Sequence, residues 1–238
     1  MSSLFSDPFQ IQMHKRMDTF GQAGHLMNCR FDRDNGKVPQ LRLAEKYVSH
    51  WEEMHRKGLG LLLWGPPGSG KTFAAACIAN AFLDSKDPFP PKVIMTDFGT
   101  VLRQSLAATP QQRQEELSRL LETGLLILDD FGAERQTDYT QEQIYHIING
   151  RYIRQAPLIV TTNLTLQQLK NGETLQQQRI CDRLLEMCVP VCFDADSLRK
   201  DKAAANLRFF RDLCRAETVA ESPDSCYDTE NQRNEEIL

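Results

Sequence analysis

Residues 59–72 read Leu59-Gly60-Leu61-Leu62-Leu63-Trp64-Gly65-Pro66-Pro67-Gly68-Ser69-Gly70-Lys71-Thr72. The apolar run ending at Trp64 has the length of a buried strand, and the small-residue stretch Thr72-Phe73-Ala74-Ala75-Ala76-Cys77-Ile78-Ala79 that follows the turn has the character of a helix packed closely on a sheet. Between them, Gly65 to Thr72 fit G-x-x-x-x-G-K-[ST] in the strand–turn–helix setting that this pattern requires. The glycines let backbone N–H groups close around phosphate oxygens, and the helix start adds partial positive charge. The pattern places Lys71 on the β- and γ-phosphates of a nucleotide and the Thr72 hydroxyl on its magnesium ion. Gly65, Pro66, Pro67, Gly68, Ser69, Gly70, Lys71 and Thr72 are therefore the expected nucleotide-binding residues, with ATP and Mg2+ as the bound species.

Downstream the chain alternates short apolar runs with amphipathic stretches. Lys92-Val93-Ile94-Met95-Thr96-Asp97-Phe98 reads as a second strand, 99–122 as mainly helical, and Leu125-Leu126-Ile127-Leu128-Asp129-Asp130-Phe131-Gly132 as a buried third strand. A helix follows with Ile144, Ile147, Ile148 and Tyr152 on one face, then the strand Pro157–Asn163, a helix over 179–188 and a fifth strand over 189–193. Upstream, Leu41 to Arg56 carry apolar residues at helical spacing. Parallel strands need crossovers, so this alternation predicts an α/β, three-layer P-loop NTPase with a five-stranded parallel sheet.

Ligands of parallel sheets bind at the carboxyl ends of the strands. Asp129 there is expected to hold Mg2+, and Asp130 to polarise the attacking water as general base. Aspartate is one methylene shorter than glutamate, so turnover is expected to be slow without a partner or an oligomer. Asn163, ending the fourth strand, suits either of two tasks: orienting water at the γ-phosphate, or capping a helix that starts near Leu166. Asp130-Phe131-Gly132 also spells the kinase DFG, but no H-R-D precedes it and the phosphate loop is of the wrong type.

Composition bounds the remainder. With 238 residues, 41% hydrophobic and 25% charged, the chain suits one substantial domain. Its apolar runs are far shorter than the roughly 20 residues that cross a bilayer, and no charged region precedes an apolar block at the start, so a cytoplasmic protein without membrane contact is expected. Cysteines fall at 29, 77, 181, 188, 192, 214 and 226 with no C-x-x-C pair, and no histidine lies beyond His146 to complete a site with Cys181, Cys188 and Cys192. Reduced thiols are the expectation. The net charge of −4 is unevenly spread: residues 216–238 hold seven acids and one base, a local −6 that leaves +2 elsewhere. This divides the chain into an N-terminal extension (1–40, partly disordered), an ATPase domain (41–215) and an acidic disordered tail (216–238).

The stretch from about Arg30 to Arg199 resembles the DnaC/IstB-like branch of the AAA+ ATPases, which contains bacterial and phage helicase loaders and transposition helper proteins. The resemblance rests on Gly65–Thr72, on Leu125–Glu134, on Ile147-Ile148-Asn149-Gly150-Arg151-Tyr152 followed by Pro157–Leu164, and on Arg179–Cys188 followed by a strand and Ser197-Leu198-Arg199. It implies that Asn163 is sensor 1, that Arg199 lies near sensor 2, and that Arg183, or second Arg179, is an arginine finger reaching a neighbouring subunit. About 20 residues separate the last strand from the tail, so the lid is vestigial or absent. The family implies a homo-oligomer that loads a replicative DNA helicase onto single-stranded DNA. A transposition helper acting with a transposase and a nucleotide-gated adaptor with little turnover are the alternatives. The loaders carry a helicase-binding region ahead of the ATPase core, and Phe5, Phe9, Met13 and Met17 are the candidates here for a short docking helix, or for residues that are disordered or pack on the chain itself.

Overall fold

Five parallel strands, β1 (Gly60–Trp64), β2 (Val93–Asp97), β3 (Leu125–Phe131), β4 (Leu158–Thr162) and β5 (Cys188–Cys192), form one sheet in the order β2-β3-β4-β1-β5. The computed structural model describes residues 7–21, 23–33, 38–134, 137–172, 174–194 and 206–211. The chain divides into two compact units, Met1–Leu198 and Arg199–Leu238. In the second, 206–211 is helical, with Leu207, Phe209 and Phe210 exposed. Arg199 and the acidic stretch 216–238 lie outside the described residues.

The central strands are apolar on both faces, as expected for a parallel sheet covered on each side. One face carries α1 (Pro8–Phe20), α2 (Leu41–Ser49) and α4 (Lys71–Leu83), with α3 (Trp51–Arg56) completing the lead-in. Ala74, Ala75, Ala76 and Ala79 of α4 are fully buried, and their small side chains let this helix lie close to the strands. The other face carries α5 (Phe98–Ala107), α6 (Pro110–Glu122), α7 (Asp138–Ile153) and α9 (Leu175–Met187), and the short α8 (Leu166–Lys170) lies beside α9. The lead-in, expected as one helix, is divided, and the stretch expected as mainly helical holds two helices. The lead-in breaks at His50, and 98–122 breaks at Ala108-Thr109, where the Thr109 hydroxyl and Gln112 form a reciprocal cap and Pro110 takes the first helical position. β5 is an edge strand, which explains how it accommodates Pro190.

Part of the segment ahead of α2 belongs to this packing. Phe20 and Leu26 are buried in the core beside α4. The Arg16 guanidinium donates to Asn80 Oδ1 at 2.5 Å and to the Asp84 carboxylate, while Arg30 Nε pairs with Asp84 Oδ2 at 2.8 Å. Asn80, fully buried, donates in turn to the Leu26 and Ala76 carbonyls, each at 2.9 Å. Of the candidate docking residues, Met13 and Met17 are exposed on α1; Phe5 and the Phe9 side chain lie outside the described residues.

At the opposite end of the sheet from the phosphate loop, Arg151 is completely buried and donates to the backbone carbonyls of Leu120, Leu121, Thr123, Gly124 and Pro157. Its planar fork ties the end of α6 to the entrance of β4. Burial lowers its pKa to about 10.

Candidate functional site

The strand order decides where the site lies. β1 is followed in sequence by β2 at the far edge, so the chain crosses over β4 and β3 and leaves the carboxyl ends of β1, β4 and β3 side by side at a topological switch point. The loop from Gly65 to Gly70 leaves β1 there and enters α4. Gly65, Gly68 and Gly70 have φ of 140°, 83° and 101°, backbone that glycine adopts without strain. A side chain at Gly65 would also bring its Cβ to 2.1 Å from the Phe193 carbonyl oxygen. Lys71 is 5% exposed and curls back over the loop, donating from Nζ to the Gly65 and Pro66 carbonyls, both at 2.8 Å.

Thr72, in the first turn of α4, donates from Oγ1 to Asp129 Oδ1 at 3.0 Å, joining the two residues expected to share a metal. These are hard oxygen donors of the kind magnesium takes, and they adjoin the glycine loop and the buried lysine. The site therefore fits ATP with Mg2+. Burial lifts the Asp129 carboxyl above the ordinary aspartate range. Hydrogen bonds from Thr161 and Thr72 pull the other way, and the Asp130 and Asp97 charges add to the rise. Asp97 ends β2 opposite Asp129 and is itself engaged, capping α5 through Thr100 N at 2.8 Å and Thr100 Oγ1 at 2.7 Å.

The expected general base occupies unusual backbone. Leu128 pairs with Val160 and Phe131 with Thr162, so Asp129 and Asp130 together face the single residue Thr161 across a β-bulge. Asp130 adopts φ 55°, a left-handed conformation that aspartate tolerates better than most residues, and its side chain is exposed while Asp129 is drawn in. Thr161 is completely buried and joins both acids: its hydroxyl donates to Asp129 Oδ1 at 2.5 Å and accepts from Asp130 N at 2.9 Å. Sequence reading passed over this residue, although a threonine two positions before Asn163 on a buried strand is a signal that could have found it.

β4 ends at Thr162, one residue short of the expected Asn163, which follows the strand with its side chain exposed. The capping alternative is answered by Thr165, whose hydroxyl accepts from Gln168 N at 3.2 Å while Gln168 Oε1 accepts from Thr165 N at 2.8 Å. Beyond Asn163 and Asp130 the two loops approach each other: Gly132 adopts φ 90°, and a Cβ there would come within 2.6 Å of Leu164 Cδ1. Glu134, also missed, folds back there to accept from Gly132 N at 3.0 Å. Its carboxyl, raised by burial, lines a cleft together with Leu164, Leu169 and Ile180.

The two finger candidates, both on α9, differ in setting. Arg183 stacks its guanidinium on Tyr145 and Tyr152 of its own chain, with centroid distances of 5.0 Å and 5.6 Å. Arg179 is exposed, one turn earlier. Among the described residues no helix is long and apolar enough to cross a membrane.

Comparison with known proteins shows the family and the fold. The family described as IstB-like ATP binding protein matches residues 10–205. The replicative helicase loader DnaI of Bacillus subtilis (strain 168) is 31% identical over 176 residues, covering 70% of this chain and 55% of that protein. The phage-like element PBSX protein XkdC of the same organism is 28% identical over 169 residues, covering 66% and 59%. The chain therefore spans little more than half the length of these two relatives. The replicative helicase loader DnaC of Escherichia coli (strain K12) is 25% identical over 193 residues, 78% of this chain and 76% of that one. A crystal structure of DnaI shares the fold with a TM-score of 0.61 at 22% identity, covering 77% of this chain and 98% of that one. One of the DnaC helicase loader gives 0.60 at 23%, covering 71% and 99%.

Proposed function

From the premise that the chain belongs to the IstB-like ATP-binding proteins, in the DnaC/IstB-like branch of the AAA+ ATPases, we propose that it binds and hydrolyses ATP and loads a replicative helicase onto single-stranded DNA as an ATP-controlled oligomer. The observation that carries the nucleotide chemistry is the Thr72–Asp129 hydrogen bond at 3.0 Å, adjoining a glycine loop with a buried lysine. The names of the relatives DnaI and DnaC support the replication role.

Each residue has a distinct task in this reading. Lys71 gives up the Gly65 and Pro66 carbonyls to hold the β- and γ-phosphates, and the loop N–H groups bind the remaining phosphate oxygens. Thr72 and Asp129 would hold Mg2+, which would supply positive charge to offset that developing on the transferring phosphoryl group. Asp130 accepts the proton of the attacking water, and Asn163, one strand over, orients that water. Arg183 or Arg179 of a neighbouring subunit stabilises the same developing charge, so turnover depends on assembly. Arg199, the sensor 2 candidate, lies outside the described residues.

ATP turnover measured across protein concentrations, with and without single-stranded DNA, tests the reading. The expected rate per subunit rises with both; a flat rate removes the trans arginine. The family match also keeps open a transposition helper acting on duplex DNA. Pull-down against a replicative helicase and a transposase separates the two.

A further inference from the structure

β4 separates the strand that delivers the phosphate loop from the strand that delivers the metal aspartate, and Thr161 is the β4 residue at the level where the two meet. Its hydroxyl has one proton and gives it to Asp129 Oδ1 at 2.5 Å; a lone pair on the same oxygen takes the Asp130 N–H at 2.9 Å. Both hydroxyls near Asp129, those of Thr72 and Thr161, converge on the single oxygen Oδ1. They are not equivalent. Thr72 stands in the first turn of α4, just after the glycine loop, where its oxygen would turn to a metal ion, whereas Thr161 is completely buried on β4 and bonded to the two acids.

We propose that Thr161 is the positioning residue of the metal site: when Thr72 turns its oxygen to Mg2+, Thr161 becomes the hydroxyl that fixes the Asp129 carboxylate, and through Asp130 N it holds the bulge that aims Asp130 outward. Three observations converge on this. The hydroxyl is used in both directions, which valine, of similar shape, cannot do. The bulge places two acids opposite this one residue, and removing the Thr161 oxygen takes away the part-buried partner of the Asp130 N–H. Thr161 also stands near the end of β4, two residues before Asn163 in the chain, on the strand beside the one that carries both aspartates. Removing a hydrogen-bond partner that orients a metal ligand typically weakens metal binding about tenfold to a hundredfold.

This inference rests on the ATP-binding reading, and its test keeps the two apart. A fluorescent ATP analogue carrying a methylanthraniloyl group on the ribose is titrated into the full chain in EDTA and at stepped Mg2+ concentrations. The comparison covers wild type, Thr161→Val, Thr161→Ser and Thr161→Ala. Ser and Ala both lack the methyl group and differ in the hydroxyl, so that pair decides the question if the valine variant does not fold. In EDTA all folded variants are expected to bind the analogue alike. The Mg2+ concentration giving half of the magnesium-dependent gain is expected to rise about tenfold or more in Val and Ala, and to stay near wild type in Ser. Equal Mg2+ dependence in Ser and Ala overturns the role of Thr161 while leaving the nucleotide site in place. Absence of analogue binding by folded wild type under every condition overturns the ATP-binding reading and, with it, this inference.

Discussion

Arg183 holds its guanidinium carbon 5.0 Å from the centre of the Tyr145 ring, so the first-choice arginine finger is tied to its own chain. A stack of this kind is worth about 0.5–2 kcal/mol, which must be given up before Arg183 reaches a neighbour's phosphate. Arg179, exposed one turn earlier, carries no such cost. Arg179→Ala is expected to shift stability by less than about 0.5 kcal/mol and, if Arg179 is the finger, to lower assembled turnover by roughly a thousandfold. Arg183→Ala is expected to lower the melting temperature whichever residue serves. Thermal melts and concentration-dependent turnover of both variants check this, and full turnover in the two removes the finger from α9.

Asp130 offers a clean test of chemistry because asparagine shares its tolerance for left-handed backbone. At φ 55°, Asp130→Asn keeps the conformation and the exposed position while removing the base. Turnover of the assembled protein is expected to fall by about a hundredfold to ten-thousandfold, with nucleotide affinity retained. An unchanged rate means that another group activates the water.

Asp129 links the site to stability. Burial holds its pKa above the unfolded value, so between the two values the native chain retains a proton that the unfolded chain has released. In metal-free buffer, native stability therefore falls as pH rises through that window. Asp129→Asn, whose amide oxygen still accepts from Thr72 and Thr161, is expected to melt higher than wild type at neutral pH. The gap should close as pH drops toward the ordinary aspartate value, and the variant should lose the stabilisation that Mg2+ with ATP gives wild type. Scanning fluorimetry from pH 4 to 8 reads all of this; a gap that widens at low pH contradicts the sign.

Arg16 anchors residues that precede the lead-in helix. Its guanidinium meets Asn80 Oδ1 in the core and the Asp84 carboxylate at the surface. Arg16→Ala leaves the buried Asn80 oxygen without that donor and is expected to cost about 1–3 kcal/mol, and to make 7–33 the first segment cut in limited proteolysis. Wild-type resistance there shows that apolar contacts of Phe20 and Leu26 suffice.

The same contact shows where sequence reading reached its limit. The β1–loop–α4 unit was legible because its signals are local: an apolar strand, glycines at fixed offsets, a lysine and a hydroxyl in succession. The third strand and its two acids were legible for the same reason. Arg16 and Asn80 are 64 residues apart, Thr161 and Asp129 are 32 apart, and neither pairing leaves a periodic trace. The bulge at Asp129-Asp130 was invisible because it exists only relative to the register of β4. Arg151, inside a run read as an amphipathic helix, gave no hint that five carbonyls would converge on it. The division at Thr109-Pro110 was different: a capping threonine before proline, with Gln112 behind it, was there to be read.

The central claim is that Lys71, Thr72 and Asp129 together hold ATP with Mg2+. Isothermal calorimetry of the full chain with ATP and Mg2+ tests it most directly, with Lys71→Ala as the control. One ATP bound per chain, weakened on removal of Mg2+ and abolished in Lys71→Ala, is the result expected. Folded wild-type protein that takes up no ATP, or a Lys71→Ala variant that binds as well as wild type, contradicts it.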